Sequence, residues 1–345
     1  LYQMYGKDYD DADWDKLLDQ LTFDDMDNLI ANGGYGTPAV KSVGKIQLTD
    51  ADGPASLNNN FTGVGSIGMT WSKDLAHDFG DSIGKMANEM NTSGWYGPAM
   101  NIHRSAFSGR TFEYFSEDSL LSGAMASNEI AGAKSKGVYS FMKHFALNDQ
   151  ETNRTNMVCT WANEQSIRET YLKPFEMSVK EGGAQAVMSS FNYIGYTYAG
   201  ASSNLLQTVL RGEWGFKGFV LTDYFGGYGY QNADQEVRAG NDSMLATTKI
   251  TNHITDKSAT SVKAMRQAAH NILYTAANSW QYANGEPKVA TPIWKTAMYV
   301  AWGVTAVLVI GLEIVAIKRY LNRKKAVATV ESAAEPVAAG PANAE

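Results

Sequence analysis

The chain has 345 residues, 44% hydrophobic and 19% charged, a globular rather than a disordered composition. Its formal charge of −7 disfavours a nucleic-acid partner, because a phosphate backbone rewards a basic surface. One cysteine, Cys159, excludes an intramolecular disulfide scaffold and any thiolate metal cluster. The five histidines (His77, His103, His144, His253, His270) show no close metal-ligand spacing, so neither a metal nor another cofactor is expected.

Residues 1–12 are polar and acidic and read as a linker. Trp14 to Asn32 carries apolar residues at helical spacing, with Thr22 placed to cap a second segment. Helices are predicted over 72–91, with Ser72 as N-cap, and over 117–136, 163–180, 204–213 and 258–277. Strands are predicted over 138–145, 186–193 and 219–222. Such alternation means a parallel sheet with crossovers, either a barrel or a doubly wound sheet. About 250 residues suffice for one barrel domain.

Residues 286–295 read as a second linker. Thr296 to Ile317 is almost entirely apolar, with Glu313 its one charge, and is long enough for a transmembrane helix. Lys318, Arg319, Arg323, Lys324 and Lys325 follow, which by the positive-inside rule puts the C-terminus in the cytoplasm and residues 1–290 outside. Residues 318–345 read as a basic stop and a disordered tail. Residues 296–345 hold five basic and four acidic residues, leaving −8 for the outer part. The chain starts at Leu1 rather than Met, so it is expected to be a fragment or a processed form.

In parallel α/β folds the chemistry sits at the carboxyl ends of strands. Polar residues gather at those ends: Asp52, Asn101–Arg104 and Arg110, Lys143–His144, Ser189–Asn192, and Asp223. Asp223 ends an apolar strand, where it serves as nucleophile, base or metal ligand, or else caps the next helix. Lys143 and His144 can both reach a ligand if the strand terminates there, and such polar density suits a hydroxyl-rich solute. Asp52-Gly-Pro54 is equally a plain turn. One of Arg104 and Arg110 is expected in a buried ion pair with Glu113, Glu117 or Asp118. Glu151 and Arg154, three apart, read as an ordinary surface pair. Gly63-Val-Gly-Ser-Ile-Gly68 matches a dinucleotide fingerprint without the strand before it or the helix directly after. Four N-x-S/T triplets, at Asn60, Asn91, Asn153 and Asn241, are glycosylation sequons by pattern alone.

Together, DGP at 52–54, NIHRSAFSGRTFEYFSED at 101–118, KHFALNDQETNR at 143–154, MSSFN at 188–192, GFVLTDY at 218–224 and RAGNDSML at 238–245 resemble the catalytic domain of glycoside hydrolase family 3, the β-glucosidase-like enzymes. The resemblance covers about residues 13–280. It implies a (β/α)8-type barrel over 13–285 and a retaining mechanism with Asp223 as the catalytic nucleophile. It implies that Asp52, Arg110, Lys143 and His144 bind sugar hydroxyls, with Met188 and Phe191 at the sugar's edge. A retaining glycosidase needs two carboxyl groups about 5–5.5 Å apart, and the nucleophile must stay ionised beside cations such as Lys143 and Arg110. In the family the acid/base glutamate usually comes from an α/β sandwich domain, and none follows residue 280. The expectation is therefore the C-terminal part of a membrane-anchored member, with that domain missing or upstream. Its substrate would be a glycoside or oligosaccharide ending in β-D-glucose. The competing readings are a β-xylosidase of the same chemistry, a non-catalytic carbohydrate-binding surface protein, and a self-contained enzyme with Glu113 or Glu151 as acid.

Overall fold

A computed structural model describes residues 1–57, 63–246, 252–287 and 293–333 of the chain. The chain divides into two units, residues 1–287 and 288–345.

The first unit opens with α1 (Asp13–Leu18) and α2 (Phe23–Ala31). Thr22 caps α2 in a reciprocal box with Asp25, fixing where the helix starts. Strand β1 (Gly36–Thr37) leads to β2 (Leu48–Asp52). Then come α3 (Gly65–Met69), α4 (Lys73–Glu89), β3 (Gly94–Tyr96), α5 (Ser119–Ser135) and β4 (Tyr139–Phe145). Ser72 caps α4 and Asp118 caps α5, each accepting from the first-turn amides. Next are β5 (Cys159–Thr160), α6 (Glu164–Ser166), α7 (Lys173–Lys180), β6 (Ala186–Ser189), β7 (Tyr193–Ile194) and β8 (Thr197–Tyr198). A π-wound helix over Asn204–Glu213 precedes β9 (Phe219–Tyr224), α8 (Ala233–Ala239), β10 (Ser243–Leu245) and α9 (Ala259–Ala277).

Seven strands form one sheet in the order β1-β2-β3-β4-β6-β9-β10. All neighbours from β2 to β10 run parallel, and only β1 is antiparallel, to β2. Past the two edges, the Gly33 amide after α2 donates to the Met244 carbonyl on β10 at 3.0 Å. Alternate residues of each central strand enter different cores. Tyr139, Phe141, Ala186, Met188, Phe219 and Leu221 pack with α2 and α9, whereas Met142, Phe145, Val187 and Val220 pack under α5, α7 and the π-wound helix. Burial on both faces is what a parallel sheet requires, and it explains the near-continuous apolar runs. Because the strands are parallel, Asp52, Lys143–His144, Ser189 and Asp223 emerge at one edge of the sheet.

Three expectations change. Residues 1–12 are no linker: Leu1 and Met4 are buried, the terminal ammonium donates to Val43 O, and Tyr9 stacks on His270 at 4.2 Å. The helix expected over 163–180 breaks at a π turn, Ile167–Tyr171, just before Pro174. The strand expected over 186–193 stops at Ser189; Tyr193–Ile194 joins a separate three-stranded sheet, β5-β7-β8. Gly63 and Gly68 of the decoy fingerprint press on the backbone of Phe112 and Phe115, which is a packing role.

Among its described residues the second unit holds one helix, α10 (Ile293–Ala333), whose most apolar 18-residue window has a mean hydropathy of 2.3, and which is long and apolar enough to cross a membrane. The helix does not end at the basic cluster; it runs through Lys318–Lys325 to Ala333, in place of the disorder expected from Ala326. The rest of that tail, residues 288–292 of the second linker and the Asn60 sequon lie outside the described residues.

Candidate active site

Asp52, the pair Lys143–His144, and Asp223 are held at the ends of three different strands, and Arg110 comes from the loop after β3. Asp52 closes β2; its Oδ1 accepts from the Gly53 amide and from Lys143 Nζ, both at 2.8 Å. Burial alone would raise the Asp52 pKa, but Lys143 and Arg110 outweigh it and hold the carboxyl below its usual range.

Lys143 and His144 lie next to the end of β4, both buried, and the peptide bond between them is cis. Both side chains face the same edge: Lys143 reaches Asp52, and His144 Nε2 stands 3.9 Å from Asp223 Oδ2. The His144 backbone is clamped by Asn101, whose amide side chain accepts from His144 N and donates to His144 O at 2.8 and 2.9 Å. Burial, then the charges of Arg110, Lys143 and Arg154, push the His144 pKa well below the ordinary 6.5. The imidazole is therefore neutral at pH 7, and a neutral ring can donate or accept toward a hydroxyl. Tyr114 OH is 3.4 Å from its Nδ1 and also donates to Asn148 O at 3.2 Å.

Asp223, on β9, is almost buried. It does not cap the next helix, since Asn232 caps α8. Its Oδ1 accepts from the Tyr224 amide at 2.7 Å, and its Oδ2 accepts from Arg154 Nη1 at 3.0 Å. Arg154 also pairs through Nε with Glu151 Oε2 at 3.0 Å, and its guanidinium lies 4.7 Å from the centre of the Phe191 ring. Arg110 reaches the same Glu151 oxygen at 3.6 Å and pairs with buried Glu113. Arg110 is thus the arginine in the expected ion pair, while Arg104 is exposed.

The charged groups form one connected array on one sheet edge. It sets His144 and Arg154 against Asp223, ties Arg110 to Arg154 through Glu151, joins Lys143 and Asp52 beside His144, and seats Phe191 beneath Arg154. Met188 lies deeper, buried in the same apolar cluster as Phe141, Phe219 and Leu221. Arg154 is the residue that sequence reasoning missed. Among the described residues, no group of three or more His, Cys, Asp or Glu is arranged to hold a metal ion.

Residues 44–277 match the model of the glycosyl hydrolase family 3 N terminal domain. The chain belongs to glycosyl hydrolase family 3. It is 36% identical over 226 residues to a β-glucosidase from Rhizobium radiobacter, an overlap of 62% of this chain and 28% of that protein. It is 38% identical over 221 residues to β-glucosidase A from Butyrivibrio fibrisolvens, covering 61% and 26%. Among solved structures, β-glucosidase 3B from Thermotoga neapolitana in complex with glucose superposes with a TM-score of 0.71 at 31% identity, covering 83% of this chain and 45% of that one. The family 3 chain thus spans between about a quarter and a half of these relatives.

Proposed function

We propose that this chain is the barrel of a retaining β-glucosidase, attached to a membrane by α10. Its sheet edges close through the Gly33–Met244 contact into a (β/α)8-type barrel, and residues 1–290 lie outside the cell. The observation that carries the reading is Asp223, a nearly buried carboxylate at a strand end, held by Arg154 at 3.0 Å and facing neutral His144 at 3.9 Å. In this reading Asp223 attacks the anomeric carbon and forms a glycosyl ester, while a second carboxyl protonates the leaving oxygen. Lys143, Asp52, His144 and Arg110 bind sugar hydroxyls, and Phe191 with Met188 backs the ring's edge. Arg154 aims the attacking carboxylate.

The acid must be held protonated. The in-chain candidates, Glu113 and Glu151, are both engaged by arginines. We assign the acid to a second domain of the whole protein, in keeping with the small share of its relatives that this chain spans. The same ion pairing favours a second reading, a sugar-binding barrel without catalysis.

The test is covalent trapping. The full chain in detergent is mixed with a 2-deoxy-2-fluoro glucoside bearing a dinitrophenolate, which departs without protonation. Intact mass and a peptide map are then recorded. A fluoroglucosyl adduct on Asp223, absent from Asp223→Asn, is expected. A folded chain that binds glucose yet acquires no adduct would support the binding protein, and one that neither binds nor labels would end both readings.

A further inference from the structure

A second polar contact lies beneath the Asp52–Lys143 pair. Asp50 stands two residues before Asp52 on β2, so both carboxyl groups leave the same face of the sheet. Asp50 is 4% exposed, and a carboxyl group buried so deeply is costly unless it is paired. Its Oδ1 accepts from Tyr139 OH on β4 at 2.7 Å. That bond passes over β3, the strand between them. The register makes room for it: Asp50, Gly94 and Tyr139 lie in one row, and a side chain on Gly94 would overlap Asp50 Oδ1 and the Tyr139 ring. Asp52 and Lys143 make the same span from β2 to β4, at 2.8 Å. Two struts therefore tie the same pair of strands, one at the site and one under it.

Holding two strands does not require the lower strut. The rings of Phe141 and Phe219 meet edge to face at 5.0 Å between β4 and β9 and do so without a buried carboxyl group. Ionisable groups face Asp50 from three sides: Tyr139 on β4, Tyr96 on β3 and Lys45 before β2. Asp50 Oδ2 and Tyr96 OH have no partner, while the buried Lys45 ammonium donates to Thr37 O, Thr37 Oγ1, Pro38 O and Ile46 O. Burial raises the Asp50 pKa to about 7, against the Tyr139 bond and the Lys45 charge, and burial also lowers that of Lys45.

Resting on the reading of Asp52 and Lys143 as groups that hold sugar hydroxyls, we propose that Asp50 and Tyr139 are positioning residues, whose bond sets the spacing of β2 and β4 on which the Asp52–Lys143 geometry depends. A charged acceptor makes a hydrogen bond about twice as strong as a neutral one. The strut is therefore tight when Asp50 is ionised, above about pH 7, and slackens as pH falls through that value. Affinity for the sugar follows in the same direction.

The test is calorimetric titration of glucose into the full chain in detergent at pH 8 and pH 6, for the parent, Asp50→Asn, Tyr139→Phe and the double variant, with thermal unfolding of each alongside. Parental affinity should fall about threefold to tenfold from pH 8 to pH 6. Asn keeps the shape of Asp and cannot ionise, so Asp50→Asn should show the parent's pH 6 affinity at both pH values. Tyr139→Phe keeps the ring and removes the donor. It should lose a similar factor at pH 8, and the double variant should lose no more than either single change. Should Asp50→Asn fail to fold, Tyr139→Phe decides alone. Variants that melt lower yet bind glucose as the parent does at both pH values would reduce the strut to a support of the fold and overturn the proposal. A pH dependence that survives in Asp50→Asn overturns it too, because the titrating group then lies elsewhere. A parent that binds no glucose at either pH refutes the sugar site itself, an outcome distinct from failure of the strut.

Discussion

Arg154→Met is the change that tests the site most sharply. Arg154 is one of the longest-range contacts of the array, reaching Asp223 across 69 positions of sequence at 3.0 Å. Its side chain is only 17% exposed, so water screens the pair little. A hydrogen bond to a charged group contributes about 1.5–3 kcal/mol, and a guanidinium over an aromatic ring about 0.5–1 kcal/mol. Met keeps most of the apolar stem and removes both interactions, a loss of about 2–4 kcal/mol. At about 1.4 kcal/mol per tenfold, that slows formation of the Asp223 ester about 30- to 1,000-fold. An opposing effect exists, because a carboxylate freed of its cation is the stronger nucleophile. Aim decides the sign: an almost buried carboxylate that loses the guanidinium is no longer held toward the anomeric carbon. The rate of labelling by the fluoroglucoside, followed by intact mass, measures the effect. Arg154→Lys should fall between, since it keeps the charge without the planar fork. A Met variant that labels at or above the parental rate, with parental glucose affinity, would refute this reasoning.

Three further outcomes concern the scaffold. Glu129 is fully buried on α5, both its carboxyl oxygens lack a partner, and burial raises its pKa well above 4.5. The folded chain keeps that proton while the unfolded chain releases it above about 4.5, so stability falls as pH rises. Glu129→Met should gain about 1–3 kcal/mol at pH 7.5 and less at pH 5, read by urea unfolding; no gain at either pH would contradict the account. For His144 the sign is opposite, because the folded ring is neutral and the unfolded ring takes a proton below about 6.5. Stability is full above that pH and is lost below it by at most about 1.4 kcal/mol per unit, a slope that His144→Gln should remove. Helices α4 and α5 cross at facing glycines: a Cβ on Gly80 would stand 2.0 Å from Glu129 O, and one on Gly132 2.2 Å from His77 O. Either Ala substitution should cost about 1–3 kcal/mol in thermal unfolding, and the pair less than the sum, because the first already parts the helices.

Local chemistry made much of the fold legible. The capping residues Thr22, Ser72 and Ser258 stand where a hydroxyl precedes an apolar periodicity, and each accepts from the first turn of its helix. The apolar runs at 139–145 and 219–224 are central strands because both of their faces are covered. What could not be read depends on distant partners. Residues 1–12 are acidic in composition, but Leu1, Met4 and Tyr9 find partners about 40 to 260 residues away. The strand at 186 stops short because Ser190 and Asn192 are drawn to the carbonyls of Phe145 and Ala146, which no propensity of their own encodes.

The site divides along the same line. Asp52, Lys143, His144 and Asp223 were visible because each ends an apolar strand, and parallel strands deliver their ends to one edge. Arg154 was hidden by its own neighbour. The pairing with Glu151 three residues earlier is real, at 3.0 Å, and it satisfied the bland reading completely. A guanidinium, however, has two further nitrogens, and here Nη1 is the one that holds Asp223. A local pair therefore does not exhaust an arginine, and the useful question is where its remaining donors point once the sheet has formed. For Arg110 the same count leads to Glu113 through Nε and to Glu151 through Nη1, so two arginines share one exposed glutamate at the rim. That sharing makes Glu151→Gln a test of the whole array: it releases one arm of each arginine at once. Asp223 labelling should fall by about twofold to thirtyfold, less than for Arg154→Met, because a partly exposed pair contributes about 0.2–1 kcal/mol and two are loosened together. Unchanged labelling together with lost turnover of an unactivated glucoside would instead cast Glu151 as the acid and favour the self-contained enzyme.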